Sequence, residues 1–199
     1  MMSEESGERR LQREMGSTRR ADRFYERQML TSLNETMTDL IRKQEMCFMA
    51  TADAAGNCDC SPRFGKAGFI RVIDPVTLAY PEYRGNGVFA SLGNIIENPH
   101  VGLVFVDFFG STVGLHVNGK AQSFRTGDLP EGVASALPQP ESEDARLIER
   151  WVVVTVEEAY IHCSKHVPRL EKLQKPIAWG TDDPVAKSND YFVGSDDPQ

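Results

Sequence analysis

Four short stretches carry side chains whose types and spacing could do chemistry. Ser61-Pro62-Arg63-Phe64-Gly65-Lys66 puts a hydroxyl and two cations at the end of an extended segment, a set suited to an anion. Tyr80-Pro81-Glu82-Tyr83-Arg84-Gly85-Asn86-Gly87 runs directly into a helical pattern. A helix N-terminus offers unpaired N–H groups and the positive end of its dipole, and glycines let a phosphate approach the backbone. The same Gly-Asn-Gly also reads as a plain turn with Asn86 as the N-cap. His116-Val117-Asn118-Gly119-Lys120 has the period of a strand, so His116, Asn118 and Lys120 share one face. That face is solvated surface, a dimer contact or the wall of a cleft. In His162-Cys163-Ser164-Lys165-His166, His162 and Lys165 either touch an anion or end a solvated strand.

The four cysteines are Cys47, Cys58, Cys60 and Cys163. A zinc set of Cys58, Cys60, His162 and Cys163 can be drawn, but structural zinc sites favour two tight pairs. Reduced thiols in strand segments are the better reading, and no metal is expected. The chain holds no nucleophile elbow, Walker loop or Rossmann glycine fingerprint.

The elements that must position these residues are mainly β. Residues 1–18 read as a flexible or loosely helical arm. From Arg19 to Gln44 the apolar spacing is helical, with Thr31 or Ser32 capping a second helix and Glu35 closing a capping box. Strands are expected at Met46–Ala52, Cys58–Arg63, Phe69–Ile73 and Thr77–Pro81. One helix, Asn86 to Glu97, interrupts them before strands resume at Val101–Phe108, Thr112–Phe124 and Trp151–Cys163. Short helices are expected near Glu141–Arg150 and at His166–Leu173. Close-set strands with few helices predict a β-barrel with helices over its openings, not a parallel α/β sheet.

The 199 residues suit one domain over residues 19–175, followed by an acidic tail over 176–199. A net charge of -7 argues against a general nucleic-acid surface, while a local arginine cluster can still hold one small anion. No apolar run is long enough to span a membrane. The N-terminal arginines are opposed by Glu4, Glu5, Glu8, Glu14, Asp22 and Glu26, unlike a transit peptide, so a cytoplasmic location is expected.

In order and spacing, SPRFGKAGFIRVIDPVTLAYPEYRGNG, SLGNIIENPHVGLVFVDF, GLHVNGKA and VEEAYIHCSK resemble the pyridoxamine-phosphate-oxidase-like family of FMN-binding split barrels. The resemblance covers about residues 45–170. It implies a six-stranded split barrel and a homodimer with two FMN molecules in clefts between the protomers. It also implies phosphate on Arg63, with Ser61 beside it and Phe64, Gly65 and Lys66 along the flavin. Tyr80 and Pro81 would end the hairpin strand, Gly114 and Leu115 would line the isoalloxazine, and Lys165 would close the set. Family members often carry a basic pair before the helix. Gly87 and Val88 stand there in this chain, which leaves the phosphate to Arg63, Arg84 and the N–H groups of a helix capped by Asn86. The C-terminal DYFVGSDDPQ lacks the arginine that grips pyridoxamine phosphate in the family's name-giving enzymes, so that substrate is not expected. The expected role is an FMN-dependent oxidoreductase acting on a small molecule, its partner being a small-molecule substrate or an electron donor. The alternatives are a non-catalytic flavin-binding or sensing protein, or the same fold carrying deazaflavin or haem.

Overall fold

The computed structural model describes residues 6–137, 148–175 and 177. Its strands are β1 (Met46–Ala52), β2 (Cys58–Phe64), β3 (Arg71–Asp74), β4 (Thr77–Tyr83), β5 (His100–Val106), β6 (Gly114–Phe124) and β7 (Ile148–His162). They form one seven-stranded sheet in the order β2-β1-β5-β6-β7-β4-β3, one strand more than the resemblance implied. Every pairing is antiparallel. The mainly-β barrel architecture read from the sequence is therefore the one observed.

The sheet rolls up on itself. β2 and β4 lie towards opposite ends of the strand order, yet Arg63 Nε reaches Glu82 Oε2 at 3.2 Å. The Tyr80 hydroxyl likewise donates to Met49 Sδ of β1 at 2.8 Å. Strand alternation directs Cys47 and Met49 inward from β1 and leaves Phe48 on the outer face. Met49, Leu78, Tyr80, Leu103, Phe105, Val117, Val152 and Val154 fill the interior with no exposed surface. Burial stabilises the fold by about 1.5–3 kcal/mol for each large apolar side chain. Two helices cap this core: α3 (Glu35–Lys43) inserts Ile41, and α4 (Ala90–Glu97) inserts Leu92 and Ile95. A smaller cluster of Ala79, Val133, Leu137 and Trp151 packs under α5 (Glu131–Ala136).

Several boundaries differ from the sequence reading, each for a local reason. Within residues 1–18, Gly7–Glu14 forms helix α1, which packs on α2 (Thr18–Gln28). Arg9 pairs with Asp22 at 2.6 Å, Gln12 Nε2 donates to the Tyr25 hydroxyl at 2.6 Å, and that hydroxyl donates to Glu8. Helix α3 is capped by Asn34, not Thr31 or Ser32, because Asn34 Oδ1 accepts from Met37 N at 2.9 Å. Leu33 before it is buried, and its N–H donates to Pro75 O. Ile148–Arg150 belongs to β7, not to a helix, while 141–147 lie outside the described residues. The segment expected as a helix at His166–Leu173 is not helical: a 3-10 turn, Ser164–His166, ends where that segment begins. Pro168 disfavours the helical conformation at Val167. Of the acidic tail, only Ile177 is described.

Candidate functional site

β2 exposes alternate residues to the two sides of the sheet. Asp59, Ser61 and Arg63 are half-buried on the inner side, while Cys58, Cys60, Pro62 and Phe64 are exposed. The inner three line a cleft of about 490 Å³ with Glu82, the 85–89 loop and the start of α4. A volume of that order suits a small ligand or a cofactor fragment.

The helical end of this cleft differs from the expectation. α4 begins at Ala90, so Asn86 does not cap it. Asn86 Oδ1 accepts instead from Val88 N at 3.0 Å, tightening the loop. Gly87 has φ 80° and Phe89 has φ 54°, so the chain turns twice through the left-handed region before the helix can start. Such a conformation is strained for Phe89. Phe89 provides no side-chain cap, and the first helical bond runs from Gly93 N to Phe89 O. The first-turn N–H groups of Ala90, Ser91 and Leu92 therefore lie beyond the intrahelical ladder, at residues that line the cleft.

Carboxylates share the space. Asp59 Oδ2 accepts from both Ser61 Oγ and Ser91 Oγ, each at 2.9 Å, and so ties β2 to the first turn of α4. Arg63 is paired with Glu82, and the two side chains are only 15% and 19% exposed. Arg63 Nη1 also donates to Pro62 O at 3.2 Å. Burial raises the Glu82 carboxyl above its ordinary value and Arg63 opposes that rise. Behind the pair, burial pushes the Cys47 thiol up to about 12 and holds the Tyr80 phenol above its usual range.

Ser61, Arg63, Asn86 and Gly87 line one cleft. The other residues named from sequence lie elsewhere. Phe64 points outward, and exposed Lys66 and Arg84 stand on the loops after β2 and β4, each engaged in an interaction of its own. Gly65 is held by Phe69, whose Cβ lies 2.3 Å from where a Gly65 side chain would begin. Tyr80 is a core residue, and Pro81 is buried opposite Trp151. β3 pairs no further than Arg71–Ala79, so no strand needs an N–H from Pro81 on that side. Gly114 and Leu115 are buried at the start of β6, and exposed Lys165 follows β7. Asp59, Glu82, Phe89 and Ser91 were missed. Asp59 was within reach, because it precedes Ser61 and Arg63 at the same two-residue period.

A second polar group lies on the outer face of β6 and β7. His116 Nε2 and His162 Nδ1 are 3.0 Å apart, and the His116 ring stacks on Tyr160 with centroids 4.8 Å apart. Burial first, and His162 second, lower the His116 pKa from 6.5. The unfolded chain therefore binds the proton more readily. Stability should be complete above about pH 6.5 and fall as the pH drops from there through the lowered folded value. His116→Phe, which keeps the stack, is expected to flatten that acid limb in thermal melts at stepped pH. Cys58 and Cys60 are separated from His162 and Cys163 by three intervening strands. No group of three or more metal-ligating side chains occurs among the described residues. No helix among them is long and apolar enough to cross a membrane.

Comparison with known proteins gives this architecture a family. The chain is similar in fold to HupZ of Group A Streptococcus, at 22% identity and a TM-score of 0.50, covering 70% of this chain and 99% of that one. A candidate pyridoxamine 5'-phosphate oxidase from Lactobacillus delbrueckii is 26% identical, with 67% and 98% coverage and a TM-score of 0.48. HutZ, the haem storage protein of Vibrio cholerae, is 12% identical, with 65% and 94% coverage and a TM-score of 0.44. No curated protein matches in sequence. The sequence pattern described as pyridoxamine 5'-phosphate oxidase matches residues 33–163, which runs from two residues before α3 to the residue after β7 and takes in every strand and the whole cleft. The rolled antiparallel sheet and the cleft at its β2 edge are thus those of a member of the pyridoxamine 5'-phosphate oxidase family.

Proposed function

We propose that the protein is a homodimeric, FMN-dependent oxidoreductase acting on a small molecule, with the β2–α4 cleft as the site of the cofactor phosphate. One observation carries this reading: the Arg63 guanidinium and the N–H groups that open α4 line the same cleft. Phosphate is held by that combination of a forked cation and a helix N-terminus. Ser61 and Ser91 stand beside it with hydroxyls that can turn from Asp59 to a ligand oxygen. Bound flavin would supply the electron or hydride transfer, and the protein would supply position and electrostatics.

Gly114 and Leu115 lie on β6, three strands from β2 in the sheet, and Lys165 follows β7. A site shared between two copies would let them approach a flavin ring whose phosphate rests in the other chain's cleft. The outer sheet face supports such a contact. Pro62, Phe48 and Val104 lie side by side across β2, β1 and β5, with Phe48 37% exposed and Phe64 47% exposed nearby. Exposed apolar patches of this kind mark interaction surfaces. A second reading, the same fold carrying haem, is favoured by the His116–His162 pair, since imidazole is a common axial ligand.

The absorption spectrum of the purified protein, with mass spectrometry of the released ligand, tests these readings. A flavin spectrum and an FMN mass are expected, from a protein that light scattering finds dimeric at micromolar concentration. A Soret band would favour the haem reading, a deazaflavin mass would replace the cofactor, and a monomer would remove the shared site.

A further inference from the structure

We propose that Glu82 is a competing internal anion that determines what the cleft accepts: an external anion binds Arg63 by displacing the Glu82 carboxylate, and Glu82 takes a proton from solvent as it does so. The flavin reading is needed here only to name the physiological ligand; the exchange itself follows from the ion pair.

The pair lies inside the cleft, not at a distance from it. Both Arg63 and Glu82 line the cavity, joined through Nε at 3.2 Å. Asp59 lines the same cleft, where its carboxylate is held by Ser61 and Ser91. Adding a phosphate dianion would place a second anion on the half-buried guanidinium that already holds Glu82. Coulomb repulsion in such surroundings is far larger than in water. Protonating Glu82 relieves it at the least structural cost, because the neutral acid can still turn its carbonyl oxygen to a donor.

The surroundings of Glu82 favour that proton. From β2 it faces Arg63, with Asp59 in the same cleft; Tyr80 precedes it on its own strand, and Cys47 of β1 lies behind the pair. From β7 the Glu149 charge acts on it, while Arg150, opposite it in register, is committed to Ser123. Arg84 follows on the next loop. Burial and Glu149 raise the Glu82 carboxyl above its ordinary 4.5, and Arg63 alone opposes them. Placing another anion on Arg63 weakens that opposition, so ligand binding and proton uptake reinforce each other. A cleft built this way would reject anions as the pH rises and take them as it falls.

Sulfate is the direct probe, since its charge is constant over the range concerned, whereas the flavin phosphate itself titrates near pH 6 (roughly). Calorimetry with millimolar sulfate on the full chain should show wild-type affinity rising about tenfold from about pH 8 to about pH 5. Glu82→Gln should bind sulfate at every pH as tightly as wild type does at the acid end. Adding Arg63→Ala to that variant should abolish binding. In buffers of different ionisation enthalpy, wild type should take up a proton on binding and Glu82→Gln should not. A Glu82→Gln protein that keeps the pH dependence, or that binds no sulfate, would overturn the proposal. FMN titrated in parallel separates the two readings. If sulfate behaves as described and FMN binds neither protein, the exchange stands and the flavin assignment falls.

Discussion

Replacing Arg63 by alanine is expected to weaken FMN about tenfold to a hundredfold and to leave riboflavin almost unchanged. The two ligands differ by a phosphate, and a charge-assisted hydrogen bond to a phosphate oxygen contributes roughly 1.5–3 kcal/mol. Arg63 is the guanidinium that the rolled sheet brings into the cleft, so the loss should fall on the phosphorylated ligand. Arg63→Lys should recover only part of it, because an ammonium cannot reproduce the bidentate fork. The variant has a second consequence. Glu82, only 19% exposed, loses its partner, which should cost about 1–3 kcal/mol of stability near neutral pH. The double variant with Glu82→Gln should regain that stability without regaining FMN. Titrating both flavins into dialysed proteins, beside thermal melts, separates these effects. Equal losses for FMN and riboflavin would assign Arg63 a purely structural role at the seam between β2 and β4.

Gly119→Ala should be the most damaging single-methyl change in the sheet. A Cβ at this position would lie 2.0 Å from Thr155 O, 3.0 Å from Thr155 C and 3.2 Å from Val156 Cα. All three are backbone atoms of β7, so no side chain can rotate away. The position adjoins the bulge where the β6–β7 register shifts between Asn118 and Gly119. Relief therefore requires parting the two longest strands of the sheet. Overpacking a rigid site costs about 1–3 kcal/mol, and the upper end applies where only backbone can yield. A loss of about 3 kcal/mol corresponds to a Tm lower by about 6–12 °C for a chain of this size. Gly132→Ala is the matched control. It lies in α5 with nothing within 4 Å of its added methyl, and it should raise stability by up to about 1 kcal/mol through helix propensity. Similar Tm values for the two variants would show that β7 moves aside freely at the bulge.

The sequence by itself determined the strand segments, their antiparallel style and half of the cleft. Burial alternates along β1 and most of β6, as a pleated strand with one covered face requires, whereas β4 buries Leu78, Ala79, Tyr80 and Pro81 in a row because both of its faces are covered. Ser61 and Arg63 share a two-residue period, and a hydroxyl with a guanidinium on one strand face is a set suited to an anion. Local backbone conformation moved the helix start from Asn86 to Ala90, since nothing in the side chain of Phe89 advertises a left-handed φ. The tertiary structure alone decided the electrostatics. Glu82 is 19 residues from Arg63 along the chain and meets it only because the sheet rolls β2 towards β4. Tyr80, which the resemblance placed in the cofactor set at the end of the hairpin strand, points inward and donates to Met49 across the rolled sheet. Composition counted the charges correctly, but a pairing across the two ends of a curved sheet is a property of its curvature. No period along the chain encodes that closure.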